Sequence, residues 1–147
     1  MKNKIFALEE VLDKFHDGQS IMFGDLHGEI SAEEIISGLI EKNVKNLTAI
    51  ACTSGQPDMG VGRLVANHQV SKFMATHIGL NPNTRDQLFS GEMEVEFIPQ
   101  GTFAERIVKC CVRGGHLYVP GHDKKGVFKI SLFHSTDVTL VDFGFSS

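Results

Sequence analysis

The stretch Ser20-Ile21-Met22-Phe23-Gly24-Asp25-Leu26-His27-Gly28 decides the fold. A short apolar run opens directly into a loop bearing two glycines, the form of a buried strand that delivers a functional turn. Ser31 and Glu34 follow with capping-box spacing, and Ile35, Ile36, Leu39 and Ile40 then share one helical face before Asn43. Leu47 to Cys52 is the next apolar run. Strand, loop, helix and strand make a βαβ unit, and strands that are apolar rather than alternating belong to a parallel sheet covered on both faces.

Upstream of this unit, Ile5, Leu8, Leu12 and Phe15 recur at helical spacing, and Gly18 supplies a stop. Downstream, Thr53 to Gly62 is a turn-rich loop containing Gly55, Pro57, Gly60 and Gly62. Phe73 to Ile78 is the third strand expected. Asn81-Pro82 punctuates the chain ahead of a short polar helix over Asn83 to Phe89, and Val95 to Ile98 forms a further strand closed by Pro99. From Gln100 to Val112 helical spacing returns through Phe103, Ile107, Val108 and Cys111, ending at Gly114 and Gly115. The last segments, Val127 to Phe133 and Val138 to Phe143, are strand-like, with a charged turn at Asp123 to Gly126 before them.

The class expected is α/β: one domain over residues 1–147 with an open, mainly parallel central sheet, helices on both faces, and antiparallel strands near the C-terminus. In such sheets ligands bind beyond the carboxyl ends of the strands. The loops Gly24 to Gly28, Thr53 to Gly62 and Ile78 to Asn81 are therefore the candidate site.

Composition narrows the partners. With 147 residues, 41% apolar and 22% charged, the chain has the size of a single globular domain. Fourteen Lys and Arg against eighteen Asp and Glu leave a net charge of −4, which favours neither a nucleic acid nor an anionic membrane. No apolar run approaches the roughly 20 residues that cross a bilayer, and no charged start precedes an apolar signal-like segment, so a cytoplasmic location is expected. Cys52, Cys110 and Cys111 have no C-x-x-C spacing and are read as reduced, part-buried thiols. His16, His68, His116, His122 and His134 are scattered without shared spacing, so no metal set is expected from them.

Several ordered segments resemble one family. Asp17-Gly18 precedes one apolar strand, Val44-Lys45-Asn46-Leu47-Thr48 opens a second, and Gly60-Val61-Gly62-Arg63-Leu64 follows a loop. His77-Ile78-Gly79, Asn81-Pro82, Gly91-Glu92-Met93-Glu94-Val95-Glu96 and Pro99-Gln100-Gly101-Thr102-Phe103-Ala104-Glu105-Arg106-Ile107 come next in order. Together they resemble the A (alpha) subunit of family I coenzyme A transferases, over roughly residues 1–107.

The resemblance implies transfer of coenzyme A between short carboxylic acids such as acetate, butyrate or acetoacetate. It implies a B subunit as partner, which supplies the nucleophilic glutamate, so no catalytic nucleophile is expected in this chain. Acyl-CoA and a short carboxylic acid are the implied ligands, with the coenzyme A thioester as substrate and no separate cofactor or metal. The chain is expected to act in an oligomer and to be a shortened A-subunit-like domain. Mapped onto this sequence, the pocket implied comprises Gly24, Asp25, Leu26, Gly28, Gln100, Gly101, Val119, Pro120 and Gly121. Backbone N–H groups and glycines there shape the acyl site and stabilise developing oxyanions.

The sequence departs from the family pattern in the first loop, and again over Cys110 to Gly121, where the Thr-Pro-Thr-Gly type loop of relatives survives only in outline. Gly24-Asp25-Leu26 stands where relatives have Gly-Gly-Phe, and Ile30-Ser31-Ala32 where they have Gly-x-Pro. An inward Asp25 carboxylate would repel both a carboxylate substrate and a partner glutamate. A second reading follows, a diverged and catalytically inactive member that binds a ligand or partner. A third is a metallophosphoesterase-like hydrolase, because Gly24-Asp25-Leu26-His27-Gly28 also fits a D-x-H-G metal loop. No G-D-x-x-D or G-N-H segment follows, and Gly121-His122-Asp123 is its faint echo.

Individual side chains carry narrower expectations. Gln100, at a helix start, can both donate and accept toward a ligand. His77 sits at a strand end beside the Ile78-Gly79 turn, where a structural hydrogen bond is expected ahead of a pocket role. Glu105 and Arg106 are read as ion-pair formers between helix and sheet, and Gly60 and Gly62 as turn residues.

Overall fold

The computed structural model describes residues 7–24, 27–28, 31–110 and 138–141. The elements run α1 (Leu8–Leu12), β1 (Ser20–Phe23), α2 (Glu33–Glu41), β2 (Leu47–Ile50), α3 (Gly62–Ala66), β3 (Val70–Ala75), α4 (Pro82–Ser90), β4 (Glu94–Phe97), α5 (Gln100–Cys110) and β5 (Val138–Val141). The five strands form one sheet in the order β4-β3-β2-β1-β5. Every pairing in it is parallel.

From β1 the chain steps outward through β2 and β3 to β4, then returns to add β5 on the other side of β1. Crossovers between parallel strands are right-handed, so helices that connect strands in one direction lie on one face and a helix leading back lies on the other. Side-chain burial follows this rule. Ile21, Phe23, Leu47, Ala49, Ala51, Phe73 and Ala75 pack in one core with Ile36 and Leu39 of α2 and Leu64 and Val65 of α3. Met22, Ile50 and Met74, the alternate residues of the same strands, pack with Ile98 and with Phe103 of α5. The inner strands are thus buried on both faces, as their continuous apolar character requires.

Particular residues terminate the helices. At α4, the Asn81 side chain accepts from the Asn83 N–H at 3.0 Å, Pro82 occupies the first turn, and Gly91 closes the helix at φ +79°. At α2, the buried Gln69 amide donates to the carbonyls of Leu39 and Val44, each at 2.8 Å. The Leu39 carbonyl also accepts the Val44 N–H at 3.3 Å, so Gln69 braces the end of α2 and the turn that follows it.

Four expectations need correction. Ser31 does not form a capping box with Glu34: residue 32 holds the N-cap position, and the Ser31 hydroxyl instead lies 2.7 Å from Glu33 Oε1 and 3.2 Å from the Gly28 carbonyl. The turn-rich loop passes directly into α3, a helix that glycine content hides. β3 begins at Val70 rather than Phe73 and ends at Ala75. Near the C-terminus, Val138–Val141 pairs parallel, not antiparallel, to β1, because the chain reaches β1's free edge only after α5 has crossed back over the sheet. The segments Asp123 to Gly126 and Val127 to Phe133 lie outside the described residues, as does Ile5.

Candidate functional site

The loops that follow β1, β2, β3 and β4 all emerge at the carboxyl end of the sheet, as a parallel arrangement demands. The order of connection reverses at β1, since β2 and β5 flank it from opposite directions along the chain. Such a reversal opens a crevice at the strand ends. The loop beginning at Gly24 therefore sits at the point where an open α/β sheet accepts ligands.

Gly24 is exposed and a Cβ there would meet nothing within 4 Å, and the same holds for Gly101 at the start of α5. Gly28 differs. It is buried at φ +91°, and a Cβ would fall 2.7 Å from Cβ of Met59, so its missing side chain makes room for the loop after β2. Gly62 is likewise occupied by close backbone, its Cβ position colliding with the Gln56 carbonyl. Gly60, at φ +54°, turns the chain, whereas Gly62 is the first residue of a helix and is glycine because another backbone comes close to it.

A row of polar side chains crosses the strand ends. Pro99 accepts the Phe103 N–H at 2.8 Å, which starts α5 at Gln100. The Cys52 thiol, half-buried just beyond β2, donates to Gln100 Oε1 at 3.2 Å and lies 3.7 Å from Thr76 Oγ1. Thr76 in turn donates to the Cys52 carbonyl at 2.7 Å. Thr53 and His77 extend the β2–β3 pairing by one parallel bridge. The His77 ring is 6.1 Å from that of His27, inclined at 59°. His27 adopts φ +58°, and its buried Nδ1 has no hydrogen-bond partner among the described residues.

Behind this row the loops are tied together. Asn81 Nδ2 donates to the Ser54 carbonyl at 3.1 Å, joining the loop after β2 to the start of α4. Glu33 Oε1 accepts from the Gly60 N–H at 2.7 Å, and Glu33 Oε2 from Arg63 at 2.7 Å. Burial opposes ionisation of Glu33, but hydrogen bonds from Ser31, Arg63 and Gly60, with the Arg63 charge, outweigh it and hold the carboxyl below its ordinary value. On the outer strand, Arg106 of α5 pairs with Glu96 of β4 at 3.2 Å, the helix-to-sheet ion pair expected from sequence.

Of the residues singled out from sequence, Gly24, Gly28, Gln100 and Gly101 are described, and Gly24, Gln100 and Gly101 are exposed. Asp25, Leu26, Val119, Pro120 and Gly121 lie outside the described residues, as do His122 and Asp123. Among the described residues, no three His, Cys, Asp or Glu side chains gather as a metal-binding group. Cys52, Thr76 and Glu33 were not singled out for the site. Their partners lie 24 to 48 positions away or in another loop, beyond any local pattern. A shallow polar groove lined by His68, Asp86 and Glu92 lies elsewhere, since His68 and Glu92 precede β3 and β4 at the amino end of the sheet.

Comparison with known proteins identifies the family and the fold. The family model for coenzyme A transferase covers residues 7–112. The alpha subunit of an acetoacetyl-CoA:acetate/butyrate CoA transferase from Clostridium acetobutylicum is 42% identical over 107 residues, 73% of this chain and 49% of that one. The acetate CoA-transferase alpha subunit of Escherichia coli is 40% identical over the same shares of each chain. The chain thus spans about half the length of these relatives. In fold, an acyl-CoA transferase apoenzyme from Escherichia coli superposes with a TM-score of 0.57 at 21% identity, over 66% of this chain and 20% of that one. No helix among the described residues is long and apolar enough to cross a membrane.

Proposed function

The chain belongs to the coenzyme A transferase family, and from that premise we propose that it acts as the A half of a heteromeric transferase moving coenzyme A between short-chain carboxylic acids. The net exchange converts one acyl-CoA and one free carboxylate into the other acyl-CoA and the other carboxylate. A glutamate of a B subunit attacks the thioester carbonyl and later carries coenzyme A as a glutamyl thioester. The coenzyme A thioester is the substrate, and the reaction needs no further cofactor. The compartment proposed is the cytoplasm.

The observation that carries this reading is Gln100. It starts α5 at the carboxyl end of β4, and its carbonyl is engaged by Cys52. Its Nε2 bears two donors that this contact does not use. Attack on a thioester or mixed anhydride places negative charge on the carbonyl oxygen, and a fixed neutral donor stabilises that charge without the cost of reorienting water. The open backbone at Gly24 lets a substrate come close from the β1 side.

The test is to mix the purified chain with a cognate B subunit, supply acetyl-CoA with butyrate or acetoacetate, and follow the new acyl-CoA by chromatography. The complex is expected to exchange coenzyme A and the isolated chain to be inactive. A stable complex that binds acyl-CoA and never exchanges it would instead establish the inactive binding protein.

A further inference from the structure

We propose that Glu33 is a positioning residue, whose carboxylate sets the spacing between the glycine loop after β1 and the loop after β2 without touching substrate. The proposal deepens the transferase reading above and rests on it.

The geometry runs as a chain of contacts. The Gly28 carbonyl lies 3.2 Å from Ser31 Oγ, which lies 2.7 Å from Glu33 Oε1, which accepts the Gly60 N–H at 2.7 Å. The other carboxylate oxygen accepts from Arg63 at 2.7 Å, and Arg63 also donates to Ser37 at 3.1 Å on the next turn of α2. The two loops also touch directly, since Gly28 abuts Met59, the neighbour of Gly60. Both loops lie at the carboxyl end of the sheet, and Glu33 stands at the first turn of α2, where a negative charge is favoured.

A carboxylate suits this place because it accepts on both oxygens at once. Glutamine would keep one acceptor for Gly60 and Ser31 but turn an N–H₂ group toward the Arg63 donor. Alanine would leave the Gly60 N–H and the Arg63 guanidinium without their partner and let the loops drift apart. A displacement on the order of 1 Å at a reacting centre costs up to about 100-fold in rate.

The experiment compares the wild type with Glu33→Ala, Glu33→Gln and Arg63→Ala, each as the full chain assembled with a B subunit. It measures kcat and KM for acetyl-CoA with butyrate, and amide hydrogen exchange at Gly60 and at Ala49 and Phe73 in the core strands. With Glu33→Ala we expect Gly60 exchange to accelerate while Ala49 and Phe73 stay protected, and kcat to fall about 10- to 100-fold with KM changing far less. Glu33→Gln is expected to restore Gly60 protection and most of kcat, and Arg63→Ala to lie near Glu33→Gln. Unchanged Gly60 exchange overturns the proposal. So does acceleration of all amides together, or faster Gly60 exchange with kcat untouched. A wild-type complex that shows no coenzyme A exchange refutes the transferase reading instead, and Gly60 protection in Glu33→Ala then decides the loop spacing alone.

Discussion

The Cys52 thiol and the Gln100 carboxamide meet at 3.2 Å across the end of β3, which lies between the strands that precede them. The contact engages the Oε1 end of the amide and does not use the N–H₂ end. Replacing Gln100 by Leu is expected to lower kcat of the assembled complex on the order of 100-fold, the loss seen when one oxyanion donor is removed. Gln100→Glu should be worse, because its charge opposes the developing oxyanion. Steady-state exchange kinetics distinguish the two, and a Gln100→Leu complex with wild-type kcat would remove Gln100 from the chemistry.

The two glycines of the first loop should respond oppositely to a methyl group. Gly28→Ala introduces a Cβ 2.7 Å from Cβ of Met59 at φ +91°, a conformation that costs an L-residue about 1–2 kcal/mol before the clash is counted. Gly24→Ala meets nothing within 4 Å, and its effect on stability should stay within about 0.5 kcal/mol. Urea unfolding of both variants checks this, and equal midpoints would contradict it.

Burial separates two phenylalanines in the same way. Phe73 is fully buried in the larger core, and Phe73→Ala should cost about 3–5 kcal/mol. Phe97, on the outer strand, is 56% exposed, so Phe97→Ala should move the urea midpoint little.

Acid and alkali should act through different groups. The Glu33 carboxyl is held below its ordinary value of 4.5, so its contribution to stability is complete above that value and is lost as pH falls through the folded-state value. A hydrogen bond from Lys72 to Glu94, opposed by partial burial and aided by the charges of Glu94 and Glu96, holds the Lys72 ammonium above its ordinary 10.5. That contribution is complete below 10.5 and is lost as pH rises through the higher folded-state value. Both groups are partly exposed, so each effect is small. Glu33→Gln should flatten the acid limb of a stability profile while leaving the alkaline limb unchanged.

The parts of the fold that were legible in the sequence are those set by local chemistry. The apolar run Ser20–Phe23 is β1 without adjustment, and Asn81-Pro82 starts α4 because a side-chain acceptor and a fixed φ act on adjacent residues. α3 was missed because it begins at Gly62, where the approach of the Gln56 carbonyl requires glycine and packing of Leu64 and Val65 outweighs helix propensity. β3 was read as starting late because Ser71 and Lys72 interrupt its apolar run. Lys72 is accommodated by Glu94 and Glu96 of the neighbouring strand, at 2.9 and 3.5 Å, a cross-strand relation that linear order conceals. The site divides likewise. The helix start at Gln100 was legible from its place after Pro99, whereas its contact with Cys52, 48 positions away, was not. Glu33 was overlooked in favour of Glu34, one residue along, because the cap falls one residue later than Ser31.

The place of β5 bears on how the protein is made. Ser20 of β1 is in register with Thr48 on one side and with Val138 on the other, so the first strand has one neighbour close behind it in the chain and the other far downstream. While that segment is still inside the ribosome, β1 presents a row of unsatisfied amides to the cell, a template for pairing with the wrong chain. That side of β1 is covered only once the chain has been made as far as Val138.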